Sequence, residues 1–273
     1  MTNLLRYTIA LNLLSGFLTG IQAQEIGEKK SYSADFYPKL VMQDQPIAYW
    51  RMNLDAQKFI KNSVAQHAEL KGKLIGEIEA SIGPRAPEHP KFGEDSNEAL
   101  EIPNAGGHIE VDDPGDQSPL DFTIGDSITI EAWVQVWSIG GYRYIVGKGR
   151  TGNQGFPAEN QNYALRLNEN AAISFLYRGV DETGKQEYHR WTSEMNVGVS
   201  DGWHHIAVTY TFGKTGSLQG YIDGKSVKGK WDLAGDTGTA PVVDNDQLWI
   251  GSALSSKPAS TLMGAVDEIA IYR

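Results

Sequence analysis

Hydrophobic and polar positions alternate with period two through much of this chain. The cleanest stretch is Ser127–Trp137. Ile128, Ile130, Ala132, Val134 and Val136 fall on one face, and Thr129, Glu131, Trp133, Gln135 and Trp137 on the other. Successive side chains of a strand point to opposite faces, so the first set predicts a core face. The stretch Asp201–Val227 predicts three successive strands. Trp203–Thr211 puts His204, Ile206, Val208 and Tyr210 on one face, and Phe212–Ser217 turns the chain into Leu218–Asp223. Asp223-Gly224 is a two-residue hairpin signal, because both turn positions need positive φ, and Lys225–Lys230 leads away as the third strand. Such a meander is marginal alone in water, so other strands must close over it.

The rest of the chain offers them. Pro46–Met52 reads as a first strand, and Lys58–Lys73 as short strands and turns. Glu98–Ile102 and His108–Val111 read as a pair joined across Pro103–Gly107. Tyr144–Lys148, Tyr163–Leu167, Ala172–Tyr177 and Tyr188–Thr192 follow. Gly149–Asn162, Trp231–Gln247 and Ser255–Met263 read as long loops. Phe36, Tyr37, Leu40 and Val41 share helical spacing within Ala34–Met42, which predicts a short docking helix. Many short strands with turns at this pace mean a sandwich or barrel.

The first residues change the picture of where the chain works. Arg6 precedes an apolar run, Tyr7–Phe17, and Ile21-Gln22-Ala23 follows. That pattern predicts a signal peptide over residues 1–23. The run is short for a membrane span and carries Asn12, Ser15 and Gly16, so no span is expected after cleavage. Residues 24–45 then form a linker with the short helix, and residues 46–273 form the domain. The expected location is secreted, periplasmic or on the cell surface. The chain has no cysteine, which removes disulfides and thiolate chemistry. A net charge of −10 opposes a nucleic-acid partner.

The run Trp203-His204-His205-Ile206-Ala207-Val208-Thr209-Tyr210, a turn, then Tyr221-Ile222-Asp223-Gly224-Lys225 resembles the laminin-G-like, concanavalin A-like modules of bacterial secreted proteins. Ala48–Arg51, Ile128–Val134, Leu248–Ser252 and Gly264–Tyr272 appear in the order that resemblance requires, from about Pro46 onward. It implies an all-β fold of two antiparallel sheets in a jelly-roll sandwich. Its motifs are specific for fold and weak for function, because the same fold hosts lectins, adhesion modules and enzymes. The expected function is non-catalytic binding of a carbohydrate or an extracellular partner protein. The alternatives are a glycan-active hydrolase or lyase, and a purely structural interaction domain.

Candidate chemistry narrows this only partly. The resemblance implies that hydrolysis on this fold would place its carboxylates along one strand face, and glycoside hydrolysis needs such a pair at a set separation. Glu110-Val111-Asp112-Asp113 is the nearest approach, but Pro114 ends it before a third acid; Glu77-Ile78-Glu79 lacks a third member, and Asp267-Glu268 point apart. No enzymatic activity is therefore expected. His204 and His205 are adjacent on a strand, so they do not form a metal pair. Aromatic side chains are the positive signal, with 7 Trp and 12 Tyr. Trp137, Tyr142, Tyr144 and Trp191 are the expected ligand platform, while Trp133 reads as sheet packing. The resemblance further implies a structural Ca²⁺ held by Asp267 together with Asn53, Asp55 and Asn62 of the loop after the first strand. Alternation places Asp267 on the side of Ile269 and Ile271, and a carboxylate there needs a partner. The alternative partner is Arg51 or a backbone amide.

Overall fold

The computed structural model describes residues 36–93, 97–236 and 238–273. The expected signal peptide lies outside them. One helix, α1 (Phe36–Gln43), precedes eighteen strands. In chain order these are β1 (Ala48–Leu54), β2 (Phe59–Asn62), β3 (Gly72–Ile75), β4 (Glu79–Ile82), β5 (Glu98–Ile102), β6 (His108–Val111), β7 (Ser127–Val136), β8 (Arg143–Gly149) and β9 (Gln161–Leu167). Then come β10 (Ala172–Val180), β11 (Gln186–Asn196), β12 (His204–Thr211), β13 (Gln219–Ile222), β14 (Lys225–Val227), β15 (Gly229–Leu233), β16 (Ala240–Pro241), β17 (Leu248–Ile250) and β18 (Gly264–Tyr272). No helix among the described residues is long and apolar enough to cross a membrane.

All pairings are antiparallel. One run is β14–β13–β12–β7–β18–β1–β2, with β5 also on β18. Through the β2–β3 pairing it continues into a second, β3–β6–β17–β8–β9–β10–β11–β15. The alternation in β7 holds along its length: Ile128, Ile130, Ala132, Val134 and Val136 are all buried. They share one core with Ile206 and Val208 of β12 and with Ile145, Leu165, Phe175, Trp191 and Ile250 of the second run. Each fully buried aliphatic or aromatic side chain contributes about 1.5–3 kcal/mol, so this shared core holds the runs together.

Three expectations need correction. Glu98–Ile102 and His108–Val111 do not pair with each other; β5 joins β18 and β4, whereas β6 joins β3 and β17. The segment Pro103–Gly107 carries the chain from one run to the other instead of closing a hairpin. Trp231–Gln247 is not all loop, because Gly229–Leu233 pairs with β11 and Ala240–Pro241 with β10. Asp267 is not on the core face. A β-bulge between Asp267 and Ala270, with Glu268 at φ 50°, inserts an extra residue. Val266, Ile269 and Ile271 therefore face the core, and Asp267 does not share their side.

Candidate functional site

The outer face of β8–β9–β10–β11 follows from the same alternation. Tyr163, Leu165 and Leu167 of β9 enter the core, which turns Ala164 and Arg166 outward. Ile173, Phe175 and Tyr177 of β10 do the same for Ser174, Leu176 and Arg178. Register then sets Arg166 between Tyr144 of β8 and Ser174 of β10, and Arg190 of β11 opposite Leu176. Loop residues Tyr142, Leu254 and Ser260 wall this face. The result is a cavity of about 350 Å³ lined by Tyr142, Tyr144, Arg150, Arg166, Tyr188, Arg190 and Lys257, among others. No aspartate or glutamate lines it among the described residues.

Arginine and tyrosine organise one another there. The Arg166 guanidinium lies 4.1 Å from the Tyr142 ring centroid and 5.5 Å from that of Tyr144. It donates to the Tyr144 hydroxyl and to Ser174 Oγ, each at 3.3 Å. Arg150 donates to the same Tyr144 hydroxyl at 3.2 Å and lies 5.0 Å from the Tyr188 ring centroid. Arg190 pairs with Asp232 at 2.6 Å and donates to the Tyr142 hydroxyl. Burial lowers the Arg166 pKa, and burial raises that of Tyr188, against the pull of Arg150 and Arg178. Both shifts disfavour the charged form, as desolvation does.

Of the four expected ligand residues, the structure brings Tyr142 and Tyr144 to one cavity. Tyr142 is half-buried in the cavity, and Tyr144 forms its wall with only its hydroxyl bonded to arginines. Trp137 follows β7 and does not line the cavity. Trp191 must be corrected: it lies on β11 with Arg190 outward, so its indole points into the core and is 5% exposed. It packs where Gly220 and Gly229 leave room; a Cβ added at either would lie 2.6 or 2.1 Å from the ring. Arg150, Arg166, Tyr188, Arg190 and Lys257 join Tyr142 and Tyr144 without being marked out by the sequence pattern. The available signal was the lone charged residue in the apolar strand Tyr163–Leu167.

A larger cavity, about 740 Å³, lies beside α1 and the outer faces of β7 and β12. Several of its titratable groups are engaged with neighbouring side chains. His205 contacts Glu131 at 2.9 Å, Tyr272 donates to Glu131, and His204 sits between Asp201 at 3.0 Å and Asp223 at 2.9 Å. Trp133 packs in an aromatic cluster with Tyr37, Phe92 and His89. The acids of Glu110–Asp113 are engaged too. Glu110 meets His108, Asp112 accepts from Gln247, and Asp113 pairs with Lys148 at 3.1 Å. Lys148 is fully buried and also meets Asp121 at 3.0 Å.

The residues expected to hold calcium have hydrogen-bond partners of their own or lie exposed. Asp267 is buried, accepting from Asn97 at 2.7 Å and from the Glu268 backbone amide at 2.8 Å. Asn62 Oδ1 accepts from the amides of Tyr49 and Val64, Asp55 Oδ1 from those of Gln57 and Phe59, and Asn53 is exposed. The oxygens of Asp55 and Asn62 so used serve nearby backbone amides, whereas Asp267 reaches the distant Asn97. Among the described residues no group of three or more His, Cys, Asp or Glu is placed to hold a metal.

Comparison with known proteins bears on the frame of this site. A family model described as the concanavalin A-like lectin/glucanases superfamily matches residues 104–273. No curated protein matches the chain. Among solved structures, the Trypanosoma rangeli sialidase in complex with sialic acid aligns with a TM-score of 0.50 at 13% identity, covering 82% of this chain and 30% of the sialidase. Domain 4 of a GH43 extracellular arabinanase from Geobacillus stearothermophilus, in complex with arabinotriose, aligns at 0.48 and 15% identity, covering 83% and 91%. The Ruminococcus gnavus IT-sialidase CBM40 bound to α2,3-sialyllactose aligns at 0.42 and 12%, covering 64% and 89%. The chain thus spans under a third of the sialidase. At such identities the likeness concerns fold and not ligand.

Proposed function

Because the chain belongs to the concanavalin A-like lectin/glucanase superfamily, we propose that it is an exported, non-catalytic binding module with a two-sheet jelly-roll frame. In this reading it holds a glycan on the outer face of β8–β11. The observation that carries it is the 350 Å³ cavity, walled by Tyr142, Tyr144 and Tyr188, supplied with arginine donors and free of acidic lining residues. Tyrosine supplies apolar surface with a polar tip, and guanidinium groups supply donors for sugar oxygens. Glycoside hydrolysis needs two carboxyls at a set separation, and this lining offers none. A lyase would need a base instead. The Tyr188 hydroxyl donates to the Glu159 carbonyl, and burial disfavours its phenolate.

The test is a glycan array followed by titration calorimetry with wild type, Tyr142→Ala and Trp137→Ala. Tyr142→Ala is expected to weaken binding at least tenfold with little change in melting temperature. Trp137→Ala, outside the cavity, is expected to leave affinity unchanged. Binding of no glycan at all, or full affinity in Tyr142→Ala, overturns the reading. Release of reducing or unsaturated sugar by wild type would establish the enzyme alternative.

A further inference from the structure

We propose that the ligand of the β8–β11 face carries a fixed negative charge, a carboxylate or sulfate ester, received by Arg166 and Arg150. This rests on the glycan-binding reading of that face and names the class of sugar. The argument begins with Arg166. It is 4% exposed, one residue from the end of β9. Burying an ion costs several kcal/mol unless it is paired and hydrogen-bonded. Arg166 forms no ion pair with any described carboxylate. Its protein acceptors are two neutral hydroxyls, Tyr144 and Ser174. A guanidinium has five N–H donors in a planar fork, so most of this one remains unallocated.

Arg150 repeats the pattern. It, too, has no ionic partner among the described residues. Its Nη1 reaches the Tyr144 hydroxyl, and its Nε is buried without a hydrogen-bond acceptor. The two arginines thus share one hydroxyl. Arg190 and Lys257 add two more positive charges to the lining. Asp232 pairs with Arg190, and Arg178, behind Tyr188, donates to the carboxamide of Asn160. In a chain of net charge −10, one face has collected guanidinium groups and excluded acids from their cavity. Pairing with acidic side chains would have been the ordinary way to stabilise them. The planar fork instead suits an oxyanion with two or three acceptor oxygens, which both carboxylate and sulfate present. The volume, about 350 Å³, lies at the lower end of the range of small-ligand sites, which suits one or two sugar rings.

The test uses the full secreted protein and three matched trisaccharides: galactotriose, trigalacturonic acid and a 6-sulfated galactotriose. Calorimetric titrations are run on wild type, Arg150→Gln, Arg166→Lys and Tyr142→Ala, at low and high salt. The expected result is at least tenfold tighter binding of one acidic trisaccharide than of the neutral one. That preference should fall with added salt and be lost in Arg150→Gln. Whether the uronate or the sulfate ester is preferred identifies the source of the charge. Arg150 is only half-buried, so its variant keeps the test open should Arg166→Lys fail to fold. Equal binding of neutral and acidic sugars, abolished in Tyr142→Ala, overturns the charge inference and leaves the glycan site standing. Acidic preference that survives in Arg150→Gln and Arg166→Lys overturns the assignment to this face. Absence of binding to all three, with none on the array, overturns both.

Discussion

Lys148→Met offers the sharpest test of how the scaffold holds together. Lys148 is the penultimate residue of β8, its side chain fully buried between Asp113 Oδ2 at 3.1 Å and Asp121 Oδ1 at 3.0 Å, and it also donates to the Asp244 carbonyl. The Asp113 side chain is likewise fully buried, and that of Asp121 is 14% exposed. Methionine keeps most of the stem and its packing but removes the cation. Two desolvated carboxylates then face each other without compensation. Removing one partner from a buried ion pair costs about 3–5 kcal/mol. In a domain of this size each kcal/mol shifts the midpoint by about 2–4 °C, so a drop of about 6–20 °C is expected. The loss should depend on pH. Burial raises the Asp121 pKa, and Lys148 partly lowers it again. Without Lys148 it rises further, and a raised folded pKa means stability present at low pH and lost as pH rises through that value. Urea unfolding of wild type and variant at pH 4.5 and pH 8 reads this directly: the gap should be smaller at pH 4.5. Adding Asp113→Asn and Asp121→Asn to Lys148→Met should recover much of the loss at pH 8. A loss under about 1 kcal/mol, the scale of an exposed pair, and equal at both pH values, would refute the reasoning.

Two further outcomes separate core from site. Trp191→Ala removes a buried indole and should cost about 3–5 kcal/mol, opposite in kind to Tyr142→Ala; thermal unfolding that leaves the midpoint unmoved would place the ring outside the core. Glu268 is fully buried and its pKa is raised well above the usual range by that burial. Its contribution is therefore present below the unfolded value of about 4.3 and lost as pH rises through the folded one. Glu268→Gln, which keeps an acceptor for the Tyr49 hydroxyl, should flatten the decline of wild-type stability as pH rises above about 4.3. A calorimetric pH series in which the two curves stay parallel would contradict this.

The parts of the fold legible in the sequence are those where apolar residues recur at every second position without interruption. Ser127–Val136 and Trp203–Thr211 are such stretches, and Asp223-Gly224 fixes the turn beyond. The misplaced parts have a common physical origin. Strand parity is local, and one inserted residue inverts it. The bulge at Asp267–Glu268 leaves no mark on the sequence pattern Gly264–Tyr272, so Asp267 read as core-facing. Trp191 sits in a segment where both faces carry large side chains, Tyr188 and Arg190 outward, His189 and Trp191 inward; only pairing with β10 decides which face is which. Arg166 is hidden in the sequence for a related reason. In Tyr163–Leu167 it looks like one tolerated charge, and it becomes notable only when register puts it beside Tyr144 and near Arg150, Arg190 and Lys257. Tyr142, by contrast, was legible as an aromatic residue in a glycine-containing loop.

The bulge in β18 also bears on how the chain finds its alignment. A strand lying between two partners, as β18 lies between β7 and β1, keeps its apolar face inward if it slides by two residues. Alternation alone therefore permits several threadings of nearly equal burial. The irregular pair Asp267–Glu268 breaks that degeneracy. Only one threading brings the left-handed turn of Glu268 to the Tyr49 hydroxyl while Asp267 meets Asn97. The strand behaves as a key with one notch, rejecting neighbouring alignments by stranding two carboxylates in an apolar interior instead of by any loss of hydrophobic contact.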